Sequence, residues 1–161
     1  MTGWFRRQQQ PPASPQPAED EDSPEKLKLR LWELVRFVNR SAGKLPVEAV
    51  VVSRQITDII REVIETSGDH DLDVYAVVQI NGIVGDYLPT TLRTYLNLDA
   101  ELAERVGPSG RTPRAALREQ LESLRSAAAD MLRAAQEHDV DALFTQGSFL
   151  RTKFTGSDLN L

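Results

Sequence analysis

Apolar side chains recur every three or four residues through most of the chain, the spacing of helices that each bury one face. Ser23-Pro24-Glu25 opens the first of them with a capping hydroxyl, a proline at the first helical position and an early acid. Leu27, Leu31, Leu34 and Val38 then form one stripe, which Trp32 and Phe37 widen, and Gly43 ends it. Pro46 starts a second helix carrying Val52, Ile56, Ile59, Ile60 and Val63, with Gly68 as its stop. Thr112-Pro113 caps the longest pattern, which runs through Leu117, Leu121, Leu124, Ala128, Leu132 and Ala135. A last helix runs from Asp139 or Asp141 towards Phe154, and Gly156 stops it.

Between these lies a segment with two readings. Asn81-Gly82 stands between β-branched runs, a local signal for a tight hairpin. Leu72, Tyr75, Val78, Ile83 and Tyr87 also share a helical face, and Asp69 or Asp71 offers a cap. A lone hairpin in a helical chain would need a third strand or a covering surface, so helix is the stronger reading. Pro89 breaks or restarts the chain, Thr90 to Leu96 forms a short helix with Leu92 and Leu96 on one side, and Gly107-Pro108-Ser109-Gly110 is a loop. The fold these signals predict is all-α: an antiparallel bundle of four to five helices over residues 23–156.

Residues 1–22 carry no such pattern. Glutamines, prolines and the acidic run Glu19-Asp20-Glu21-Asp22 cannot build a core, so this stretch reads as a disordered tail; residues 157–161 form a short C-terminal one. Nor is there an apolar h-region after Trp4-Phe5-Arg6-Arg7, or any run near the ~18 apolar residues of a membrane span. That places the chain by default in the cytoplasm.

Composition narrows the chemistry. With no cysteine, disulfides, thiolate metal sites and cysteine nucleophiles are excluded. A net charge of −5 argues against a dedicated nucleic-acid binder. The two histidines sit in Asp69-His70-Asp71 and Glu137-His138-Asp139, settings that would interest a metal only if the triplets met in space. Adjacent residues rarely ligate one ion together, and a histidine at a helix C-terminus has an electrostatic explanation, so no metal site is assigned. No Glu-x-x-His, Gly-x-Ser-x-Gly, phosphate loop or dinucleotide fingerprint occurs, Ser148 has no adjacent base, and no catalytic residue or cofactor is expected.

Two features point to recognition instead. Lys26, Lys28, Arg30, Arg36 and Arg40 surround the apolar stripe of the first helix, with Trp32 at its centre. Such a helix suits a membrane surface or a partner, although cations that snorkel over a core stripe give the same pattern. Trp4, Phe5, Arg6 and Arg7 have the make-up of a docking peptide on a tether.

The segment Asp86-Tyr87-Leu88-Pro89-Thr90-Thr91-Leu92-Arg93-Thr94-Tyr95-Leu96 resembles the Tyr-Leu-Pro signature of the XpaC-like family. The order of elements over roughly residues 71–155 is similar as well. The resemblance implies an all-helical fold. It also brings the family's label, 5-bromo-4-chloroindolyl phosphate hydrolysis, and its link with toxic-anion resistance, a stress response. It supplies no catalytic set to carry over. Tyr87 and Leu88 read as a staple for the turn at Pro89, with Tyr87, Arg93 and Tyr95 as the alternative, a partner-binding edge. The expected function is that of a non-enzymatic adaptor whose bundle docks another protein. Peripheral membrane attachment is the alternative, a phosphate-ester hydrolase a weaker one, and a second copy of the chain stays open as a partner.

Overall fold

The computed structural model describes residues 23–66, 72–138 and 140–155. Helix α1 (Pro24–Ser41) begins where its capping signal stands, for the Ser23 hydroxyl accepts the Lys26 backbone N–H at 3.3 Å. Helix α2 (Val47–Thr66) follows Pro46, whose carbonyl accepts the first helical N–H, that of Val50. Helix α5 (Pro113–Glu137) is capped by the Thr112 hydroxyl, which accepts the Ala115 N–H at 3.1 Å, and α6 (Val140–Thr155) ends the described chain. The expected tails at 1–22 and 157–161, the stops at Gly68 and Gly156, and Asp69, His70, Asp71 and Asp139 lie outside the described residues.

The middle segment is helical, as the stronger reading has it, with three corrections. Its cap is Asp73, whose carboxylate accepts the Tyr75 N–H at 2.8 Å. Its buried face is also different: Ala76, Val77, Gln79, Ile80, Ile83 and Val84 point inward, while Tyr75 and Val78 are exposed. Nor does Pro89 break or restart the chain. Helix α3 (Val74–Gly82) passes through a π-helical turn, Ile83–Tyr87, directly into α4 (Leu88–Leu96) as one continuous rod. Proline in a helix lacks an N–H and crowds the carbonyl four residues back, here that of Gly85. A π turn widens the coil at that point, and the Leu88 N–H duly reaches back five residues to the Ile83 carbonyl.

Side-chain pairs fix the direction of each rod. Arg54 in the first half of α2 donates to Asn39 Oδ1 near the end of α1, at 2.9 and 3.1 Å. Arg114 at the start of α5 ties to Glu48 at the start of α2, so those two run parallel. Lys153 late in α6 donates to Ser123 in α5 at 2.6 Å. Tyr75 meets Phe144 and Tyr87 meets Phe154, so the α3–α4 rod and α6 run in step. Consecutive rods therefore reverse direction in an all-α, up-and-down antiparallel bundle of five.

The α1, α2, α5 and α3–α4 rods surround a core in which Ile56, Ile60, Leu88, Leu92, Leu121, Leu124 and Met131 are fully buried. Beyond the π turn the α4 half packs on α5, whereas the α3 half packs on α6, which itself lies on α5. The widened turn thus divides one rod between two neighbours. A further correction concerns Trp32. It does not widen the core stripe but stands 54% exposed, while Phe37 packs on the edge of the core.

Candidate functional site

Helix α1 buries Leu27, Leu31, Leu34 and Val38, and that choice forces Lys28, Trp32, Arg36 and Arg40, four residues apart, onto the outside. Across from them the π turn presents Gly85, and about two helical turns further on Arg93 leaves α4 on the same side. The result is a groove of about 580 Å³ lined by four arginines, Arg30, Arg36, Arg40 and Arg93, by Trp32 and Phe37, and by one acid, Glu33. Gly85 is exposed, and a Cβ added there would meet nothing within 4 Å, so the wall stays open at that point.

The arginines are held by aromatic faces more than by carboxylates. The Arg36 guanidinium lies 4.6 Å from the Trp32 ring centre and that of Arg93 lies 5.1 Å from Phe37. Stacking of this kind is worth about 0.5–1 kcal/mol at exposed sites. It fixes the plane of the guanidinium while leaving its in-plane N–H donors directed outward. Arg30 donates to Asn81 Oδ1, which bridges α1 to the end of α3. Among the described residues Arg36, Arg40 and Arg93 form no ion pair with Asp or Glu, whereas Arg61, Arg111, Arg114, Arg125 and Arg133 all do. A protein of net charge −5 therefore gathers unneutralised cations on one face.

The other residues singled out in the sequence are scattered. Tyr87 and Tyr95 do not share an edge with Arg93. Tyr87 turns towards α6 and stacks on Phe154 at 5.3 Å, and Tyr95 lies half-buried beside Pro113 and Leu117 of α5. Burial, and then the Asp86 carboxylate, push the Tyr87 phenol above its ordinary value, and burial lifts Tyr95 as well, so both stay neutral in the physiological range. Leu88 is buried and Tyr87 half-buried, but the rod is continuous through Pro89, so there is no turn for them to staple. Trp4, Phe5, Arg6 and Arg7 lie outside the described residues.

His138 follows the last turn of α5 in left-handed backbone (φ 53°, ψ 38°), and its N–H donates to the Ala134 and Ala135 carbonyls. It caps a helix there. Among the described residues no group of three His, Asp or Glu is placed to hold a metal ion, and no helix is long and apolar enough to cross a membrane. The groove can receive an anionic group that carries an apolar neighbour. The sequence shows the basic face of α1, but its alignment with Gly85 and Arg93 required the fold. Compared with protein-family models, curated proteins and solved structures, the chain matches none.

Proposed function

We propose that this protein is a non-enzymatic adaptor whose groove between α1 and α4 docks an acidic segment of a partner protein that also offers an apolar side chain. The observation that carries the reading is the set Arg36, Arg40 and Arg93, stacked or open and without carboxylate partners among the described residues, beside exposed Trp32. Carboxylates of a partner would take the in-plane donors, and the Trp32 and Phe37 rings would take the apolar anchor.

The backbone of the chain's own acidic run is tethered at the Ser23 end of α1, short of Arg36 and Arg40. Glu19 precedes Ser23 by four residues and extends at most about 14 Å from it, at ~3.5 Å per residue. Arg36 and Arg40 stand about 20 and 26 Å up α1 from Ser23, at 1.5 Å per residue. The test is an affinity pull-down from the native host with mass spectrometry, comparing the parent with Arg36→Glu/Arg93→Glu. Both arginines are exposed, so the fold is kept. The partner should bind the variant roughly ten-fold or more weakly, from two exposed charge contacts of up to about 1 kcal/mol each. An unchanged set of partners would overturn the reading.

One observation favours a second reading. Lys28, Trp32, Arg36 and Arg40 form a cationic row with an aromatic in it, next to exposed Leu29, which suits the surface of an anionic membrane. Flotation with anionic vesicles that is lost in Trp32→Ala would support it, and flotation indifferent to that change would remove it. The hydrolase label that comes with the XpaC-like resemblance has the least behind it. The buried polar side chains among the described residues are Ser41, Ser53, Thr57, Gln79 and Thr91, with no acid or base.

A further inference from the structure

The seam on which α6 lies continues beyond Thr155, the last described residue of that helix. Helix α6 runs antiparallel to α5, on the face that carries Ser123, to which Lys153 donates. Gln120 and Ala116 continue that face towards the start of α5, at spacings of three and four residues. On the opposite wall Tyr87, which stacks on Phe154, is followed at the same spacings by Thr91, Thr94 and Leu98. The two walls meet in a tight seam lined by Thr91, Thr94, Leu98, Pro113 and Gln120. The buried Oε1 of Gln120 accepts no hydrogen bond among the described residues, which leaves an acceptor for a backbone N–H laid along the seam. Past Leu98 and Pro113 the seam opens into a groove of about 330 Å³ walled by Leu98, Leu102, Val106, Pro108 and Ala116.

This groove is apolar with a cationic rim. Leu102 and Val106 are both exposed in it, Val106 by 64%. The charged residues that line it are Arg105 and Arg111; Glu119 holds Arg111, while Arg105 forms no ion pair among the described residues. Of the acids in the same loop, Asp99 and Glu101 do not line the groove, and Glu104 is taken by Arg114. An occupant that suits the groove is therefore apolar with an acid beside it. Gly156-Ser157-Asp158-Leu159-Asn160-Leu161 has that make-up and follows Thr155 at the head of the seam. In an extended segment Leu159 and Leu161 fall on one side and Asp158 on the other. The reach also fits. Ala116 lies about 10 Å beyond Ser123 along α5, and Leu98 about 16 Å beyond Tyr87 along α4, at 1.5 Å per residue. Residues 156–159 extend up to about 14 Å and residues 156–161 up to about 21 Å.

We infer that residues 156–161 dock in cis on the α4–α5 seam, with Leu159 and Leu161 filling the groove and Asp158 facing Arg105. So short a tether gives an effective concentration in the millimolar range, so a contact with an intrinsic Kd of about 1 mM suffices to populate the docked form. The arginine groove lies on another face of α4 and takes no part in this contact.

Backbone amide NMR relaxation of the full chain tests it. Leu159 and Leu161 should show order parameters above ~0.6, the value below which backbone counts as flexible. Arg105→Glu/Val106→Asp, at two exposed positions, should drop both below about 0.6 while the amide spectrum of α1 and α2 stays unchanged. Leu159→Ser/Leu161→Ser, which leaves the bundle untouched, should do the same and shift the amides of Leu98, Leu102, Val106 and Ala116, but not those of Trp32 and Arg36. Flexible Leu159 and Leu161 in the parent, order that survives both double variants, or shifts that miss the groove would overturn the inference. So would order that falls on dilution, since the segment would then lie on a second copy.

Discussion

Replacing Gly82 with alanine should destabilise the bundle, although helix propensity alone says the reverse. Gly82 has ordinary right-handed helical backbone (φ −60°, ψ −50°), where alanine in place of glycine gains about 1 kcal/mol. The π turn changes that outcome. It brings the ring of Tyr87, five residues on, over Gly82, so that an added Cβ would lie 2.8 Å from Tyr87 Cε2 and 3.2 Å from Cζ. Comfortable carbon contacts begin near 3.5 Å, so the ring must retreat by roughly 0.7 Å. It is a rigid ring already stacked on Phe154. Overpacking costs about 1–3 kcal/mol, and part of an aromatic pair worth about 0.5–1.5 kcal/mol is lost as well. Set against the propensity gain, the net loss is about 1–2 kcal/mol, a fall in Tm of roughly 3–8 °C. Urea and thermal unfolding followed by circular dichroism read this directly. In a Tyr87→Ala background the obstacle is gone, and Gly82→Ala should become stabilising by up to about 1 kcal/mol. The same sign in both backgrounds would refute the reasoning.

Two other outcomes follow from the same geometry. The Glu48 carboxyl is held below its ordinary value of 4.5 by its own backbone amide and then by Arg114, which it meets at 2.6 and 2.7 Å. A carboxylate whose folded-state pKa is depressed adds stability above its unfolded value and loses it as pH falls through the folded one. In urea titrations across pH, Glu48→Gln should therefore lower the midpoint near neutrality and match the parent in acid; a gap independent of pH would show that the ion pair is not its source. At His138, left-handed backbone disfavours any residue with a Cβ, and glycine is the usual occupant after a helix's last turn. His138→Gly should raise stability by roughly 0.5–1 kcal/mol in the same assay after the entropy of the unfolded glycine is deducted, and a loss would mean that the imidazole makes contacts of its own.

The sequence by itself determined the helical rods and several of their ends. Ser23-Pro24 and Thr112-Pro113 are read correctly because a cap is a local event, a side chain satisfying backbone N–H groups three residues away. The stripes of α1 and α5 are legible because polar residues fill the gaps between apolar ones, so only one face can turn inward. In α3 the first five positions are all apolar, and periodicity has little to select with. There the packing of α6, and of α1 at the π turn, decided that Ala76, Val77, Ile80 and Ile83 go in and that Val74, Tyr75 and Val78 stay out. Tertiary structure likewise decided that Pro89 sits inside a rod, because the surrounding bundle offsets the strain of a π turn that no local preference would choose. It also placed Arg93 opposite the cationic face of α1. A sequence gives the face on which each side chain stands, but only the crossing of two helices gives the face it meets, and the candidate site lies between them.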